Sequence, residues 1–463
     1  MILFLKEFNG LVYSWILLPG LLWVSVYFTC CTGAVQLRAL PESLRAAREK
    51  PAGKGPSSFA ALMISTASRV GTGNIVGVSG AICLGGCGAV FWLLFTALLS
   101  AAAAFAESTL AQVYKRRRSG GGCYGGPALY MEAAWGKRGA AMLFCLLLIG
   151  THGLGFNLLT AYNLQSSFAC FSFYRPEQSP WLIGLLLALC CFAALGRGGR
   201  HIEAVTSVLV PIMALSYAAL SVLVLLRAWP VLPTLLGEML RCAFDREAMR
   251  AGLAASGLMY GLRRGLFSTE AGMGSSPNAA AAVESAHPVK QGLSQMLSVI
   301  IDTLLCLSTA VICLASGALP REELAGMGYV FAAMSRCFGD GGKFFIAVSM
   351  ALFGFSSLLG NMFYLLNSLR CLFRREPSRR AAEGCRLLIS LSALLGCGLS
   401  MELVWELSDS LMGLICLLHL PTLWKLRKVV RLCWADYRQQ RRRGIEPIFH
   451  ASRIGLGEGE YWT

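Results

Sequence analysis

Two stretches of the sequence place glycines, small polar residues and charges inside long apolar segments. The first runs from Ser65 to Ile75 (STASRVGTGNI) and the second from Arg264 to Pro277 (RGLFSTEAGMGSSP). Glycine tolerates unwound backbone, and unwound backbone at membrane depth persists only where it lines a protein or water cavity. A half-helix that begins there offers N–H groups to a carboxylate, while free carbonyls offer oxygen ligands to a cation such as Na⁺. The pair predicts a site for a zwitterion beside a cation.

The same glycines admit a simpler interpretation, in which they allow two helices to pack closely as small-xxx-small seams do. That interpretation suits one such stretch. It suits two less well, since both carry charge inside an apolar segment and occupy corresponding positions in two blocks of the chain. Interrupted spans in corresponding positions of two halves are typical of secondary transporters.

The elements that must position these stretches are membrane spans. Of the 463 residues, 56% are hydrophobic and only 14% are charged, and the mean hydropathy is +0.59. A water-soluble chain would be about a quarter charged, so the composition excludes that class. About 20 apolar residues cross the hydrocarbon layer as a helix, and the sequence predicts an all-α membrane protein with eleven transmembrane helices. The predicted spans are Leu11–Gln36, Phe59–Leu84, Phe91–Tyr114, Gly139–Phe173, Trp181–Leu195, Ala204–Leu226, Gly252–Val283, Leu293–Leu319, Phe344–Leu369, Cys385–Leu399 and Leu403–Leu426.

The basic residues predict the orientation of these spans in a cell (inner) membrane. Lys and Arg collect in cytoplasmic loops. If the N-terminus is outside and the C-terminus is cytoplasmic, 29 of the 41 basic residues face the cytoplasm and nine face the other side. The remaining three are Arg69, Arg263 and Arg264, which fall inside spans. The net charge of +16 therefore comes from loops and a tail near anionic lipid, and it does not indicate nucleic-acid binding.

The spans divide the chain into two blocks of five. An N-terminal helix and loop (1–58) precede a first block at 59–227, an extracytoplasmic connection at 228–251 and a second block at 252–426. The first block starts inside and the second outside, as an inverted repeat requires. A basic cytoplasmic tail (427–463) follows, and we expect its run Arg438–Arg443 to be solvated and partly disordered.

No pattern indicates an enzyme or a resident metal. The 18 cysteines are spread through apolar spans without zinc-ligand spacing, and the five histidines stand alone in the sequence. No Ser/His/Asp order indicates nucleophilic catalysis. We expect no cofactor beyond a coupling ion.

Several motifs are similar to those of the alanine or glycine:cation symporters. They include RVGTGNIVG at Arg69–Gly77, FAESTLA at Phe105–Ala111, RGLFSTEAGMGSSP at Arg264–Pro277, HPVKQGL at His287–Leu293 and LVWELSD at Leu403–Asp409. The resemblance spans nearly the whole chain. It implies a leucine-transporter-type fold, a five-plus-five inverted repeat with one extra N-terminal helix, and import of alanine or glycine coupled to Na⁺ by alternating access.

The resemblance also implies roles for particular residues. Substrate-binding residues on the two broken helices would be Gly71, Thr72, Gly73, Phe267, Ser268, Ala271 and Met273. Sodium-binding residues would be Asn74 at one site, and Ala67, Val70, Ser356 and Ser357 at a second. The two serines could instead bond back to the preceding helical turn.

Charges inside spans are costly and usually functional. Gating or structural ion pairs would involve Arg69, Glu107, Arg264, Glu270 and Asp302, with Glu270 paired to an arginine. A proton relay is the alternative role for these groups.

The chain departs from the family pattern near the expected site. Thr269 and Asn361 replace an asparagine and a tryptophan, and the family's glutamine has no clear counterpart near Thr160. Two alternatives therefore stay open: a proton-coupled or exchange carrier on the same fold, and an amino-acid sensor without transport.

Overall fold

The computed structural model describes residues 1–49, 55–118, 120–196, 198–245, 257–457 and 461–462. Its helices, in chain order, are α1 (Ile2–Thr32), α2 (Val35–Arg38), α3 (Leu40–Ala47), α4 (Ser58–Arg69), α5 (Gly73–Gly85), α6 (Gly88–Val113), α7 (Pro127–Trp135), α8 (Arg138–Ser166), α9 (Ser179–Leu195), α10 (Gly199–Arg227), α11 (Leu232–Ala243), α12 (Gly257–Thr269), α13 (Pro277–Ala282), α14 (Pro288–Ala315), α15 (Met327–Phe373), α16 (Arg379–Gly398), α17 (Met401–Lys425) and α18 (Arg427–Arg442). A short antiparallel pair, β1 (Arg116–Arg117) and β2 (Cys123–Tyr124), joins α6 to α7. Short 3₁₀ turns lie at Trp229–Val231, Glu322–Leu324 and Ala451–Ile454.

The predicted all-α membrane class is confirmed. Within the described residues, eight helices are long and apolar enough to span a membrane. Helix α9 has 17 residues, and each broken stretch divides into two shorter helices, so these three segments are not among the eight. Residues 252–256 of the predicted seventh span, and residues 246–251 of the predicted connection, lie outside the described part of the chain.

The first predicted interruption is present where the glycines cluster. Helix α4 ends at Arg69, and Val70 leaves the helical region with φ −78° and ψ 86°. Helix α5 begins at Gly73, so the three residues 70–72 form the break. The backbone groups on either side lack the usual helical partners, and they are the groups that a ligand can use.

The second interruption is longer and is also present. Helix α12 ends at Thr269 and α13 begins at Pro277, where proline suits the first helical turn. Three residues in this break have positive φ: Glu270 (47°), Gly272 (79°) and Gly274 (87°). Gly272 also approaches α1 closely, since a Cβ there would lie 2.7 Å from Leu21 Cδ1. Position 272 therefore favours glycine for two reasons, its positive φ and the closeness of Leu21.

Small residues let the helices around the second break pack closely. Helix α6 presents buried alanines at 101–104, and it packs against α12 and α14. A Cβ at Gly265 would lie 2.7 Å from Leu93 O, and one at Gly292 would lie 2.8 Å from Phe105 O. These glycines do serve packing, so the simpler interpretation holds for them and not for the breaks.

Several predicted spans differ in extent, and the first, predicted at Leu11–Gln36, is α1 (Ile2–Thr32). The span predicted at Phe344–Leu369 belongs to α15, which starts at Met327 and kinks at Gly339 (φ 60°, ψ −142°). Polar and glycine residues around the kink hid the first part of this helix. The span predicted at Gly139–Phe173 is α8, which ends at Ser166 and contains a π-helical turn at Thr151–Gly155.

The run Arg438–Arg443 is exposed at four of its six residues, as expected, but it is helical through Arg442 rather than partly disordered. Helix α18 runs to Arg442, and it buries Cys433, Trp434 and Tyr437. The Trp434 indole donates to Thr32 O at 3.0 Å and its ring meets Phe105 edge-on at 5.5 Å. The high arginine content made this amphipathic helix look like a charged tail.

We expect Trp434→Ala to lower the thermal unfolding midpoint of the purified protein clearly. Truncating a buried tryptophan removes contacts worth about 3–5 kcal/mol, and it leaves Thr32 O without its donor. Leu432→Ala on the same helix is the control, because Leu432 is 42% exposed. Equal midpoints for the two variants would show that α18 is not packed as described.

Candidate functional site

The two breaks meet in the interior. A Cβ at Gly73 would lie 3.3 Å from Phe267 Cε1, so the start of α5 touches the end of α12. Asp302 on α14 joins them: its carboxylate accepts from Asn74 Nδ2 at 2.6 Å and from Ser268 Oγ at 2.5 Å. The predicted apposition of the two glycine-rich stretches is confirmed.

A cavity of about 30 Å³ lies between the breaks. Its walls come from α4, α5, α8, α12 and α15, and most lining groups are small or polar. The lining residues are Ser68, Arg69, Gly71, Thr72, Gly73, Asn74, Phe156, Leu159, Thr160, Phe267, Ser268, Glu270 and Asn361. This volume has room for about two water molecules, which is less than an amino acid occupies.

The structure places five of the seven expected substrate residues on this cavity: Gly71, Thr72, Gly73, Phe267 and Ser268. The other two, Ala271 and Met273, do not line it. Both are fully buried in the apolar core that α1 and α6 share. The positive φ at Glu270 turns the chain away from the cavity before these two residues are reached.

The expected second cation set is only partly assembled. Ser357 Oγ donates to Ala67 O at 2.9 Å. The same hydroxyl lies close to the first break, since a Cβ added at Gly71 would be 2.9 Å from Ser357 Oγ. Ser356 instead donates to Phe353 O at 3.0 Å, one turn back on its own helix. Ser357 also bonds back to Phe353 O at 2.9 Å, so both serines make the local bond that serines in helices commonly make, and Ser357 also reaches the end of α4.

Asp302 is fully buried, and its two recorded hydrogen-bond partners, Asn74 and Ser268, are neutral. No Lys, Arg or His nitrogen of the described residues lies within 4.0 Å of its carboxylate. A buried carboxylate without a cationic partner is costly, so this position favours a bound cation or proton. Carboxylate, amide and hydroxyl oxygens together suit a hard cation.

Arg69 closes one side of the cavity. It is 4% exposed, and its guanidinium donates to Ser298 Oγ through Nη1. Its Nε and Nη2 have no hydrogen-bond partner among the described residues. A positive group with free donors beside the first break adds to the positive end of the α5 half-helix, and both attract a carboxylate.

The predicted pairing of Glu270 with an arginine is wrong. Glu270 accepts from Ser275 Oγ at 2.5 Å, and its Oε2 lies 3.8 Å from His152 Nε2. Arg264, the other candidate partner, stacks its guanidinium on the Trp405 ring at 3.9 Å. The left-handed conformation at Glu270 points its side chain toward the π-helical turn of α8 that carries His152.

Glu107 supports the second break from α6. It is fully buried, and it accepts from Gly272 N at 3.2 Å and from Ser276 Oγ at 3.4 Å. His419 on α17 completes this support, because its Nδ1 lies 2.7 Å from Gly272 O and 3.7 Å from Glu107 Oε2. Glu107 therefore satisfies backbone groups that the break leaves without helical partners.

Two histidines that seemed isolated in the sequence are thus part of the site's support. His152 and His419 each approach the second break from more than 110 residues away. The only sequence signal for either was a titratable group inside an apolar span. A π-helical turn, which often marks functional sites, cannot be recognised from hydrophobic periodicity.

Of the three positions that depart from the family pattern, two line the cavity and one does not. Asn361 and Thr160 line it, and Asn361 accepts from Ser68 Oγ at 2.7 Å and donates to Asn157 Oδ1 at 2.6 Å. Thr269 faces away, toward Ser100 Oγ on α6 at 3.2 Å. Two of the three departures therefore change groups that a ligand would meet.

Two broken helices that meet around a small polar cavity, inside a bundle of apolar spans, define a secondary transporter. Similarity to known proteins identifies the family of secondary transporters to which it belongs. The model of the sodium:alanine symporter family matches residues 2–451, and the chain belongs to this family. The family consists of symporters that use Na⁺ as the coupling ion, and its members are transporters rather than enzymes.

Individual relatives cover almost the whole chain. "Probable sodium/glutamine symporter GlnT" of Bacillus subtilis is 37% identical over 98% of this chain and 94% of its own length. "Sodium/alanine symporter AgcS" of Methanococcus maripaludis is 30% identical over 91% of this chain and 94% of its own. The crystal structure of MhsT in complex with L-phenylalanine has a TM-score of 0.54 at 18% identity, covering 84% of this chain and 93% of that one. This last similarity shows the leucine-transporter-type fold alone.

Proposed function

We propose that the protein imports a small neutral amino acid, alanine or glycine, together with Na⁺ by alternating access. The observation that carries this proposal is the connection of the two breaks through Asp302, with Asn74 on one side and Ser268 on the other. A ligand between the breaks would contact both at once. Binding that holds the two half-helix pairs together is what alternating access around a fixed site requires.

In this proposal the first break binds the carboxylate end of the substrate. Backbone N–H groups at Gly71–Gly73 begin the α5 half-helix and carry its positive dipole end. Arg69 adds two free donors nearby. The ammonium end faces Glu270 and the end of α12, since Phe267, Ser268 and Glu270 form the opposite wall.

The coupling ion has two candidate positions. One combines Asn74, Ser268 and Asp302 next to the substrate carboxylate. The other combines the carbonyls of Ala67 and Val70 with the hydroxyl of Ser357, and Ser356 would join it only after a rotamer change. An ion at the first position would neutralise part of the substrate's negative charge, and this would couple the two binding events.

The topology of this proposal has eleven spans in two inverted blocks, 59–227 and 252–426, after one extra helix. The eight long spans support it when α9 and the two broken helices are added. We place the N-terminus outside and the C-terminus in the cytoplasm of the inner membrane, on the positive-inside bias of the loops.

The test is uptake of radiolabelled alanine by proteoliposomes. An inward Na⁺ gradient should drive accumulation, and replacing Na⁺ with choline at fixed pH should reduce uptake to that of protein-free liposomes. Uptake that is equal in choline would contradict Na⁺ coupling and favour the proton-coupled or exchange carrier. Amino-acid binding without flux under either gradient would favour a sensor.

A second candidate substrate class is favoured by the cavity wall. Ser68, Thr160 and Asn361 place hydroxyl and amide groups there, and one relative is named as a glutamine symporter. These groups would bind a polar side chain such as that of serine or glutamine better than a methyl group. Competition of unlabelled alanine, glycine, serine and glutamine against labelled alanine ranks the candidates, and glutamine competing best would replace alanine as the substrate.

A further inference from the structure

A second cavity lies at the end of α1, far from the broken helices in the chain. It has a volume of about 570 Å³ and lies between the end of α1, the start of α3 and one face of α18. Four arginines line it (Arg38, Arg438, Arg441 and Arg442) together with a single acidic residue, Glu42. The aromatic rings of Trp434 and Tyr437 also contribute to its wall. The cavity therefore has an excess of positive charge.

Most of this charge is not neutralised by the protein. Arg441 lies 3.6 Å from Glu42 and 3.6 Å from Glu446. Arg38, Arg438 and Arg442 have no ion pair within 4.0 Å in the described part of the chain, and all three are exposed. Arg438 stacks on the Trp434 ring at 5.8 Å, which leaves its donors free.

A neighbouring basic site shows the opposite arrangement. Lys290 pairs with Glu49 at 2.7 Å and with Glu446 at 2.6 Å, so its charge is satisfied within the protein. The two sites share α18 and α3 but differ in what balances their charge. The arginine cavity lacks an anion that the lysine site possesses.

The cavity lies at the end of a helix that is long and apolar enough to span a membrane, and lipid headgroups are located at the ends of such spans. Thr32, which lines it, is the last residue of a membrane-spanning helix. Three exposed leucines on α2 and α3 lie within two residues of the lining residues Arg38, Ala39 and Glu42 in the sequence: Leu37 (61% exposed), Leu40 (37%) and Leu44 (45%). Leu40 and Leu44 are one turn apart on the same face of a short helix, as in helices that lie in the membrane interface.

We propose that this cavity binds the phosphate of an anionic phospholipid headgroup, whose acyl chains then lie against the three leucines. Guanidinium groups recognise phosphate oxygens with paired hydrogen bonds, and basic pockets beside membrane spans suit such headgroups. The free donors of Arg38, Arg438 and Arg442 supply the phosphate contacts, while the Trp434 ring fixes Arg438. The lipid stabilises the packing of α18 on α1.

Purified full-length protein in a neutral detergent is titrated with phosphatidylglycerol while the thermal unfolding midpoint is followed. We expect the midpoint to rise with phosphatidylglycerol and to rise much less with phosphatidylcholine. In Arg38→Gln/Arg442→Gln, two exposed arginines lose their charge, and the apparent affinity for phosphatidylglycerol should fall roughly thirtyfold. The control Arg379→Gln/Arg380→Gln removes two exposed arginines from the start of α16 and should behave as the wild type.

Three results would count against the proposal. An equal loss of affinity in the control would show a diffuse charge effect without a site. An equal rise of the midpoint with inorganic phosphate alone would identify free phosphate, rather than a lipid, as the ligand. If the Arg38→Gln/Arg442→Gln variant unfolds during purification, Arg442→Gln alone is titrated, and an unchanged affinity there counts against the site. None of these readouts depends on transport, so the proposed function stands or falls separately.

Discussion

Gly73→Leu is expected to abolish uptake while the protein still inserts and folds. A Cβ at this position would lie 3.3 Å from Phe267 Cε1, and the rest of the leucine side chain would extend into a cavity of about 30 Å³. Four added carbons would fill this space. Overpacking costs about 1–3 kcal/mol, which a protein of this size can survive. The expected result is transport at the level of protein-free liposomes with normal yield and a modest change in thermal midpoint.

Gly80→Leu on the same half-helix is the matched control. A Cβ there would meet no heavy atom within 4 Å, so the added side chain needs no displacement. We expect its uptake to match that of the wild type. Wild-type transport by Gly73→Leu would place the substrate elsewhere, and loss of transport in both variants would indicate that α5 tolerates no added volume.

The two breaks were predictable because their signal is local. Glycines and small polar residues next to Arg69 and Glu270 contradict the apolar pattern on either side, and few structures other than an unwound span satisfy that pattern in a membrane. Their apposition was predictable from the repeat logic of transporters. Five lining residues follow directly from the positions of the breaks.

The residues that support the breaks were not predictable in the same way. Glu270 contacts His152 and Gly272 contacts His419. Both contacts depend on how α8 and α17 are rotated about their axes. A one-residue shift in a helix turns a side chain by about 100°, and the π-helical turn in α8 introduces such a shift. Hydropathy locates apolar spans but does not give their rotation.

Amphipathic segments at the ends of spans were the other failure. Helix α18 carries enough arginine to resemble a solvated tail, yet Trp434 and Tyr437 recur on one face at helical spacing. The spacing was present in the sequence. The high charge of the segment nevertheless favoured a solvated tail. A basic helix can still pack on apolar surface, because the stems of long basic side chains cover that surface while their charges stay in water.

Asp302→Asn is expected to weaken Na⁺ binding strongly while leaving the fold nearly intact. The substitution keeps an oxygen that can accept from Asn74 or Ser268, but it removes the negative charge at the junction of the two breaks. Attraction between unit charges at 4 Å is worth about 4 kcal/mol at an effective dielectric constant of 20. The Na⁺ concentration for half-maximal uptake should therefore rise at least about tenfold. A second measurement without amino acid, stabilisation of the purified protein by Na⁺ relative to choline, should weaken in parallel.

Asp409→Asn controls for the loss of a buried carboxylate as such. Asp409 is also inside a span and 7% exposed, but it does not line the cavity. It should keep a Na⁺ dependence close to that of the wild type. If Asp302→Asn keeps the same half-maximal Na⁺ concentration, Asp302 has only a structural role, as a hydrogen-bond acceptor between Asn74 and Ser268. The ion would then bind at the carbonyls of Ala67 and Val70. If both variants lose Na⁺ dependence equally, the loss comes from the overall electrostatic potential inside the helix bundle, and Asp302 is not a specific Na⁺ ligand. The charge at Asp302 thus decides which of the two candidate positions couples the ion to the substrate.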